Sequence, residues 1–178
     1  MFAVTERLLL RPGWAEDAPA LSRAIGDESV VRNLSRAPWP YALGDAERFL
    51  ALPQDPQSPR FLITRRDDGT IIGGIGLMRE EGENAELGYW IARDHWGRGY
   101  ATEAGRAVVA LADESLRLPK LKASHALDNP ASGRVLGKLG FRPGPLAKLH
   151  SLARGREMDV RTFARERSAI SEAQPLAA

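Results

Sequence analysis

Residues 90–104 read Trp-Ile-Ala-Arg-Asp-His-Trp-Gly-Arg-Gly-Tyr-Ala-Thr-Glu-Ala, a strand-like segment that passes through two glycines directly into a helical pattern. Gly97 and Gly99 let the backbone turn tightly and approach a ligand with no Cβ in the way. The first N–H groups of the following helix have no partners within it. Such a junction cradles an anion and suits a pyrophosphate, with an ordinary turn as the competing role. Two nucleotide motifs fail here. A dinucleotide fingerprint needs a third glycine where Thr102 stands, and a phosphate loop needs Gly-Lys followed by Ser or Thr. The Gly73-Gly74-Ile75-Gly76 run lies in an apolar strand pattern with no helix after it, so it reads as a bulge or close packing.

Other chemistry is restricted by what the chain lacks. It has no Cys, which excludes disulfides, Cys-based zinc sites and a Cys nucleophile. His95, His125 and His150 are widely spaced, with no pair four apart on a helix, so no metal site is expected. Asn129-Pro130 opens a helix with a capping Asn and an early Pro. Glu103, in the first turn of the helix after the glycines, is favoured there by the helix dipole and reads as structural.

The elements that must position these residues follow from Pro, Gly and apolar spacing. Residues 6–11 read as a strand ended by Pro12-Gly13, followed by a helix capped by Asp17, with Ala18, Leu21 and Ile25 on one face. Residues 36–41 are too Pro-rich for regular structure, 45–52 suit a helix, and 53–59 form a loop. Residues 60–66 and 70–77 flank Asp67-Asp68-Gly69 as a hairpin. A strand over 85–92 precedes the helix predicted over about 99–116. Residues 121–124 form a strand, 129–140 a helix, and 148–153 with 157–164 a final strand pair. This order is that of an α+β domain with a mixed sheet.

The chain has 178 residues, 43% hydrophobic and 27% charged, a balance that fits one globular domain. Residues 1–168 are read as that domain and 169–178 as a disordered tail. The formal net charge of +2 gives no support to wholesale nucleic-acid binding, and no window is apolar enough for a membrane span. A soluble, cytoplasmic protein is expected. Arginine clusters at 65–66, 154–161 and 165–167 read as solvated faces or as contacts for an anionic partner.

Two motifs in order carry a resemblance across about residues 5–165. Trp96-Gly97-Arg98-Gly99-Tyr100-Ala101 resembles the pyrophosphate loop of the GNAT superfamily of acetyl-CoA-dependent N-acetyltransferases, and Asn129-Pro130-Ala131-Ser132, continuing to Val135, Lys138, Leu139, Gly140 and Phe141, is similar to its pantetheine-flanking helix. With Leu87-Gly88-Tyr89-Trp90-Ile91 they look most like the RimJ/RimL-type branch of ribosomal-protein N-terminal acetyltransferases. The resemblance implies a central mixed, mostly antiparallel sheet of about seven strands flanked by about four helices. Two positions depart from the family: Trp96 replaces the usual Gln or Arg, and Leu136 stands where many relatives carry a Tyr that protonates the departing thiolate.

The resemblance also implies roles. Backbone groups of Tyr89, Trp90 and Ile91 would pair with pantetheine amides, and amides of Gly97, Arg98, Gly99, Tyr100, Ala101 and Thr102 would hold the pyrophosphate. Asn129 and Ser132 would border the thioester, while Arg134 and Lys138 either approach a CoA phosphate or remain solvated. Glu86 is the candidate base or one half of a cross-strand salt bridge, with His125 as a secondary base candidate. The Ile91 N–H is the candidate oxyanion donor, and Ser132 a proton donor or a helix-start hydrogen bonder. Trp39 and Tyr41 fall where relatives line the acceptor pocket.

The expected function is acetyl transfer from acetyl-CoA, without a metal, to a primary amine such as a protein N-terminus, by direct attack in a ternary complex. A small amine, amino acid or antibiotic is the alternative acceptor, chosen by the loops at 33–43 and 146–150. A catalytically idle acyl-CoA-binding or sensory module is the alternative function, and an RNA contact on the Arg-rich final strands a third. Monomer and homodimer are both open.

Overall fold

Apolar residues recurring at every second position, or in short continuous runs, make the strands here: β1 (Ala3–Val4), β2 (Leu8–Arg11), β3 (Arg60–Arg65), β4 (Ile71–Arg79), β5 (Ala85–Ile91), β6 (Lys120–Ala126), β7 (Arg142–Ser151) and β8 (Arg156–Glu166). Apolar residues at helical spacing make α1 (Ala18–Ile25), α2 (Glu28–Val31), α3 (Leu43–Ala51), α4 (Tyr100–Glu114) and α5 (Pro130–Lys138). These come from a computed structural model that describes residues 1–80 and 84–167. The tail expected over 169–178 lies outside the described residues.

The strands form one sheet in the order β1-β2-β3-β4-β5-β6-β8-β7. Every neighbouring pair is antiparallel except β5 and β6, which are joined by the α4 crossover and run parallel. That parallel pair has only two register positions, Ala85 with Leu121 and Glu86 with Lys122, and then the strands part. Each keeps its other partner: β5 pairs with β4 from Ala85 to Ile91, and β6 with β8 from Lys120 to Ala126. The sheet therefore opens in its middle without losing an edge.

Helices cover both faces. One core joins Leu8, Ile63, Leu77, Leu87 and Leu121 of the sheet to Val108 of α4 and Leu136 of α5. The opposite face packs Leu62 and Ile71 against Ala18 and Leu21 of α1 and Ala46 of α3. Small residues let α4 and α5 approach closely, since a Cβ on Gly105 would lie 2.5 Å from Leu139 Cδ1.

The α+β fold and the core elements follow the sequence reading, with eight strands and five helices among the described residues where about seven and four were expected. The extra pieces are the two-residue β1 and the four-residue α2, both too short for periodicity to register. The seventh strand starts at Arg142, not near 148, because Pro143 and Pro145 disguise it. Prolines are tolerated on this edge strand, whose register with β8 shifts between Pro143 and Leu146. Asp17 does not cap α1 with its side chain. It accepts from the Trp14 N–H at 2.8 Å and from the Arg11 guanidinium at 2.7 Å.

Leu136 is 0% exposed, so removing its branched end leaves a cavity between α5 and the sheet. Leu136→Ala is expected to lower unfolding free energy by about 2–5 kcal/mol, measured by urea denaturation.

Candidate active site

The gap between β5 and β6 leaves one side of β5 without a strand partner. The Ala92 N–H donates to the Ile72 carbonyl at 2.8 Å, which fixes the parity: even-numbered residues of β5 turn their backbone groups to β4. Tyr89 and Ile91 therefore direct N–H and C=O into the gap. Trp90 does not, because its backbone pairs with Gly74, and its contribution is its indole on the opposite face. The Ile91 carbonyl accepts the Trp96 indole N–H at 2.6 Å, leaving the Ile91 N–H directed into the gap. The family departure at Trp96 thus ties the glycine loop to the strand, with the Arg93 guanidinium 4.4 Å over the indole ring.

Gly97 has φ 75° and Gly99 φ 82°, left-handed values that favour glycine. Gly99 is the N-cap of α4 and offers no side-chain acceptor, so the first N–H groups of that helix remain open to an anion. Gly97, Gly99, Tyr100, Ala101 and Thr102 line the cleft. Arg98 does not line it; its side chain is exposed and its carbonyl accepts from Arg7 Nη1 at 3.0 Å.

Glu103 braces the loop from behind. Its carboxylate accepts from the Thr5 hydroxyl at 2.6 Å, the Arg7 N–H at 2.8 Å and Arg7 Nε at 2.7 Å. Burial pushes this carboxyl up, but those hydrogen bonds together outweigh it and hold the carboxyl below its ordinary value.

Across the cleft, Asn129 Oδ1 accepts from the Ser132 N–H at 3.4 Å at the start of α5. The Tyr89 hydroxyl meets Ser132 Oγ at 2.7 Å and the Ser132 carbonyl at 3.1 Å. Burial pushes the Tyr89 phenol up to about 12, against the opposing pull of that hydrogen bond. The sequence pointed only to the backbone of Tyr89; the odd parity that aims its ring at α5 is set by strand pairing. Arg134 and Lys138 also line the cleft, and Leu136 points into the core.

Glu86 lies on the other face, with Gly88 and Trp90. Burial first and the Glu80 carboxylate second push its carboxyl above the usual range, while Arg36, Ser124 and Lys122 pull it back. Ser124 Oγ donates to Glu86 at 3.4 Å. The cross-strand ion pair weighed for Glu86 goes to Glu80, which bonds Lys122 Nζ at 2.6 Å. His125 faces away from Glu86, toward α5: its Nδ1 lies 2.8 Å from the Ala126 carbonyl, and its Nε2 stands 2.7 Å from where a Gly133 Cβ would be.

Two cavities meet at this point. The cleft, which Glu86 also lines, has a volume of about 430 Å³, and a second cavity of about 730 Å³ on the sheet face that carries Trp90 is bordered by Tyr41, Phe49 and Trp90. They share Leu34, Ser35, Met78, Gly88, Tyr89 and Trp90. Tyr41 borders the second cavity, with its phenol pushed up to about 12 by burial and then by Asp45. Trp39 is exposed and lines neither cavity. Leu34 and Ser35 belong to the loop at 33–43 expected to choose the acceptor, whereas Met78 was not identified in the sequence, where it carries no motif.

The arginine clusters are largely tied into the fold. Arg154 donates to both Asp128 oxygens at 2.9 Å, and Arg165 to both oxygens of Asp113 at 2.8 and 2.7 Å. Among the described residues no group of three or more His, Asp or Glu is placed to hold a metal ion, and no helix is long and apolar enough to cross a membrane.

The Acetyltransferase (GNAT) domain family model matches residues 7–142. An uncharacterised N-acetyltransferase of Bacillus licheniformis is 31% identical over 164 residues, covering 89% of this chain and 92% of that protein. A GNAT-family acetyltransferase structure from Bacillus anthracis superposes with a TM-score of 0.82 at 23% identity, over 94% of this chain and 99% of that one. RimL, a ribosomal-protein α-N-acetyltransferase solved in complex with coenzyme A, superposes with a TM-score of 0.78 at 20% identity, over 93% and 98%. The chain belongs to the GNAT family and is an N-acetyltransferase, related to the ribosomal-protein acetyltransferases.

Glu103→Gln is expected to lower stability by about 1–3 kcal/mol at neutral pH. Because the folded carboxyl titrates below the ordinary glutamate value of 4.5, this contribution is full above that value and is lost as pH falls through the folded one. Urea denaturation of both proteins across that range checks it.

Proposed function

We propose that this chain transfers the acetyl group of acetyl-CoA to a primary amine by direct attack in a ternary complex. The observation that carries the reading is the open side of β5 running into the N–H groups at the start of α4. An extended chain bearing amides and ending in a pyrophosphate matches that sequence of donors and acceptors. Tyr89 and Ile91 would pair with the pantetheine amides along the strand, and the amides of residues 97–102 would hold the pyrophosphate. Arg134 and Lys138 supply positive charge on the opposite wall. The chain has no Cys to carry a thioester-derived acyl group, which favours direct attack over an acyl-cysteine intermediate.

The three chemical requirements then have residues. The attacking amine must be neutral, and Glu86, raised by burial, takes its proton directly or through water. The Ile91 N–H donates to the carbonyl oxygen as negative charge develops on it. As the C–S bond breaks, the sulfur takes a proton relayed through Ser132 Oγ, which the Tyr89 hydroxyl holds in place, and the proton that the nitrogen sheds as the amide forms balances the one delivered to sulfur. With Leu136 in the core, this pair stands where the cleft offers a hydroxyl. A protein N-terminus is the favoured acceptor, supported by the kinship with ribosomal-protein acetyltransferases.

The buried Leu136 also favours a second reading, an idle acyl-CoA-binding module that has lost its proton donor. The two separate cleanly. Calorimetric titration should show saturable binding of acetyl-CoA and none of NADH. Thiol release with peptide acceptors should then show turnover that Glu86→Gln and Ser132→Ala each reduce by about 10²–10⁴-fold, with acetyl-CoA affinity retained. Binding with no turnover on any amine would leave the idle module. In the active enzyme the acidic limb of the kcat/KM profile should lie above the ordinary glutamate value of 4.5 and disappear in Glu86→Gln, as the base works only when ionised.

A further inference from the structure

Resting on the transferase reading above, the place of the acceptor amine follows from a glycine that neither backbone nor packing requires. The other described glycines of the sheet have structural reasons. A Cβ on Gly73 would lie 2.3 Å from the Trp90 carbonyl oxygen, on Gly74 2.6 Å from Trp90 Nε1, and on Gly76 3.0 Å from the Pro59 carbonyl oxygen. On Gly144 it would lie 2.8 Å from Thr162 Oγ1. Gly88 differs. Its φ is not left-handed, and a Cβ there would find only Met78 Cε, at 3.9 Å.

The space above Gly88 is where the two cavities join. Along β5 it is flanked on the same face by Glu86 and Trp90, each roughly 7 Å away along the strand. Across the sheet Gly76 stands directly opposite and carries no side chain, so from β4 only the Met78 methyl borders the space. The space lies one residue from the Tyr89 backbone groups in the gap and beside the carboxylate that would deprotonate an amine.

We propose that the bare face of Gly88 is the seat of the acceptor amine, and that the acceptor is a primary amine carrying an apolar body with no second positive charge. The body extends into the cavity walled by Tyr41, Phe49 and Trp90. Along that cavity Arg36, Arg48, Arg60 and Arg79 outnumber Asp45 and Asp55, which opposes a polycationic acceptor. A small arylalkylamine and a peptide N-terminus with an apolar first residue share this chemistry.

The test compares wild type with Gly88→Ala and, as a second variant, Gly88→Ser. The acceptors are phenethylamine, a short peptide amide beginning with leucine, and spermidine. Wild type is expected to acetylate phenethylamine or the leucine peptide, the preferred one identifying the source, with spermidine the poorest of the three. Gly88→Ala should hold or raise Tm by about 1–4 °C, since it removes backbone freedom from the unfolded chain. It should bind acetyl-CoA as wild type does, yet lose roughly 10- to 100-fold in kcat/KM for the amine, because the methyl displaces the nucleophile. Unchanged kcat/KM in both variants, an equal loss of acetyl-CoA affinity, or spermidine as the best acceptor would each overturn the seat. Wild-type protein that transfers acetyl to no amine would instead overturn the transferase reading itself.

Discussion

The rest of the molecule depends on the early end of one strand pairing. β5 and β6 share two register positions and then separate, while each remains bonded along its other edge. Backbone groups left without a partner are costly when buried, so a gap of this kind persists only where something supplies the missing hydrogen bonds. Here the open groups of Tyr89 and Ile91 lead directly into the unpaired N–H groups at the start of α4. A strand edge and a helix terminus, two generic sources of orphaned backbone groups, become one continuous track of open donors and acceptors.

Holding that track in shape takes side chains that never enter it. Trp96 fastens the loop to the end of β5 through the Ile91 carbonyl, and Arg7 fastens it to the β1–β2 turn through the Arg98 carbonyl and Glu103. These contacts come from opposite sides of the two left-handed glycines, where the chain is least constrained by its own residues. The cost of using glycine for close approach is conformational freedom, and the tethers offset it.

The chemistry divides along the two faces of β5. Odd residues face α4 and α5, which brings the Tyr89 hydroxyl to Ser132; even residues face α1 and α3, which sets Glu86, Gly88 and Trp90 in a row. In the proposed mechanism, proton removal from the acceptor and proton delivery to the leaving group therefore fall on opposite sides of a strand one residue thick. The shared lining of the two cavities at Gly88 is where those sides communicate. The solvent-poor setting raises both Glu86 and Tyr89, one toward a workable base and the other toward a phenol that stays protonated.

What the sequence determined by itself was local: Gly97 and Gly99 before a helix, Asn129 and Pro130 at a helix start, apolar spacing for α4 and the central strands, and with these the family motifs. Such features act over a few residues, so their order along the chain is enough to read them. The short β1 and α2 and the proline-masked start of β7 escaped because too few residues carried a period. Only the tertiary structure decided that Trp90 turns its backbone away from the gap, that His125 lies on the face opposite Glu86, that Trp39 stands outside both cavities while Tyr41 borders the second, and that Tyr89 reaches Ser132. Each of these depends on strand parity and on which strands lie side by side. A shift of one residue in pairing moves every side chain to the other face, and that register is set by contacts between segments far apart in the chain.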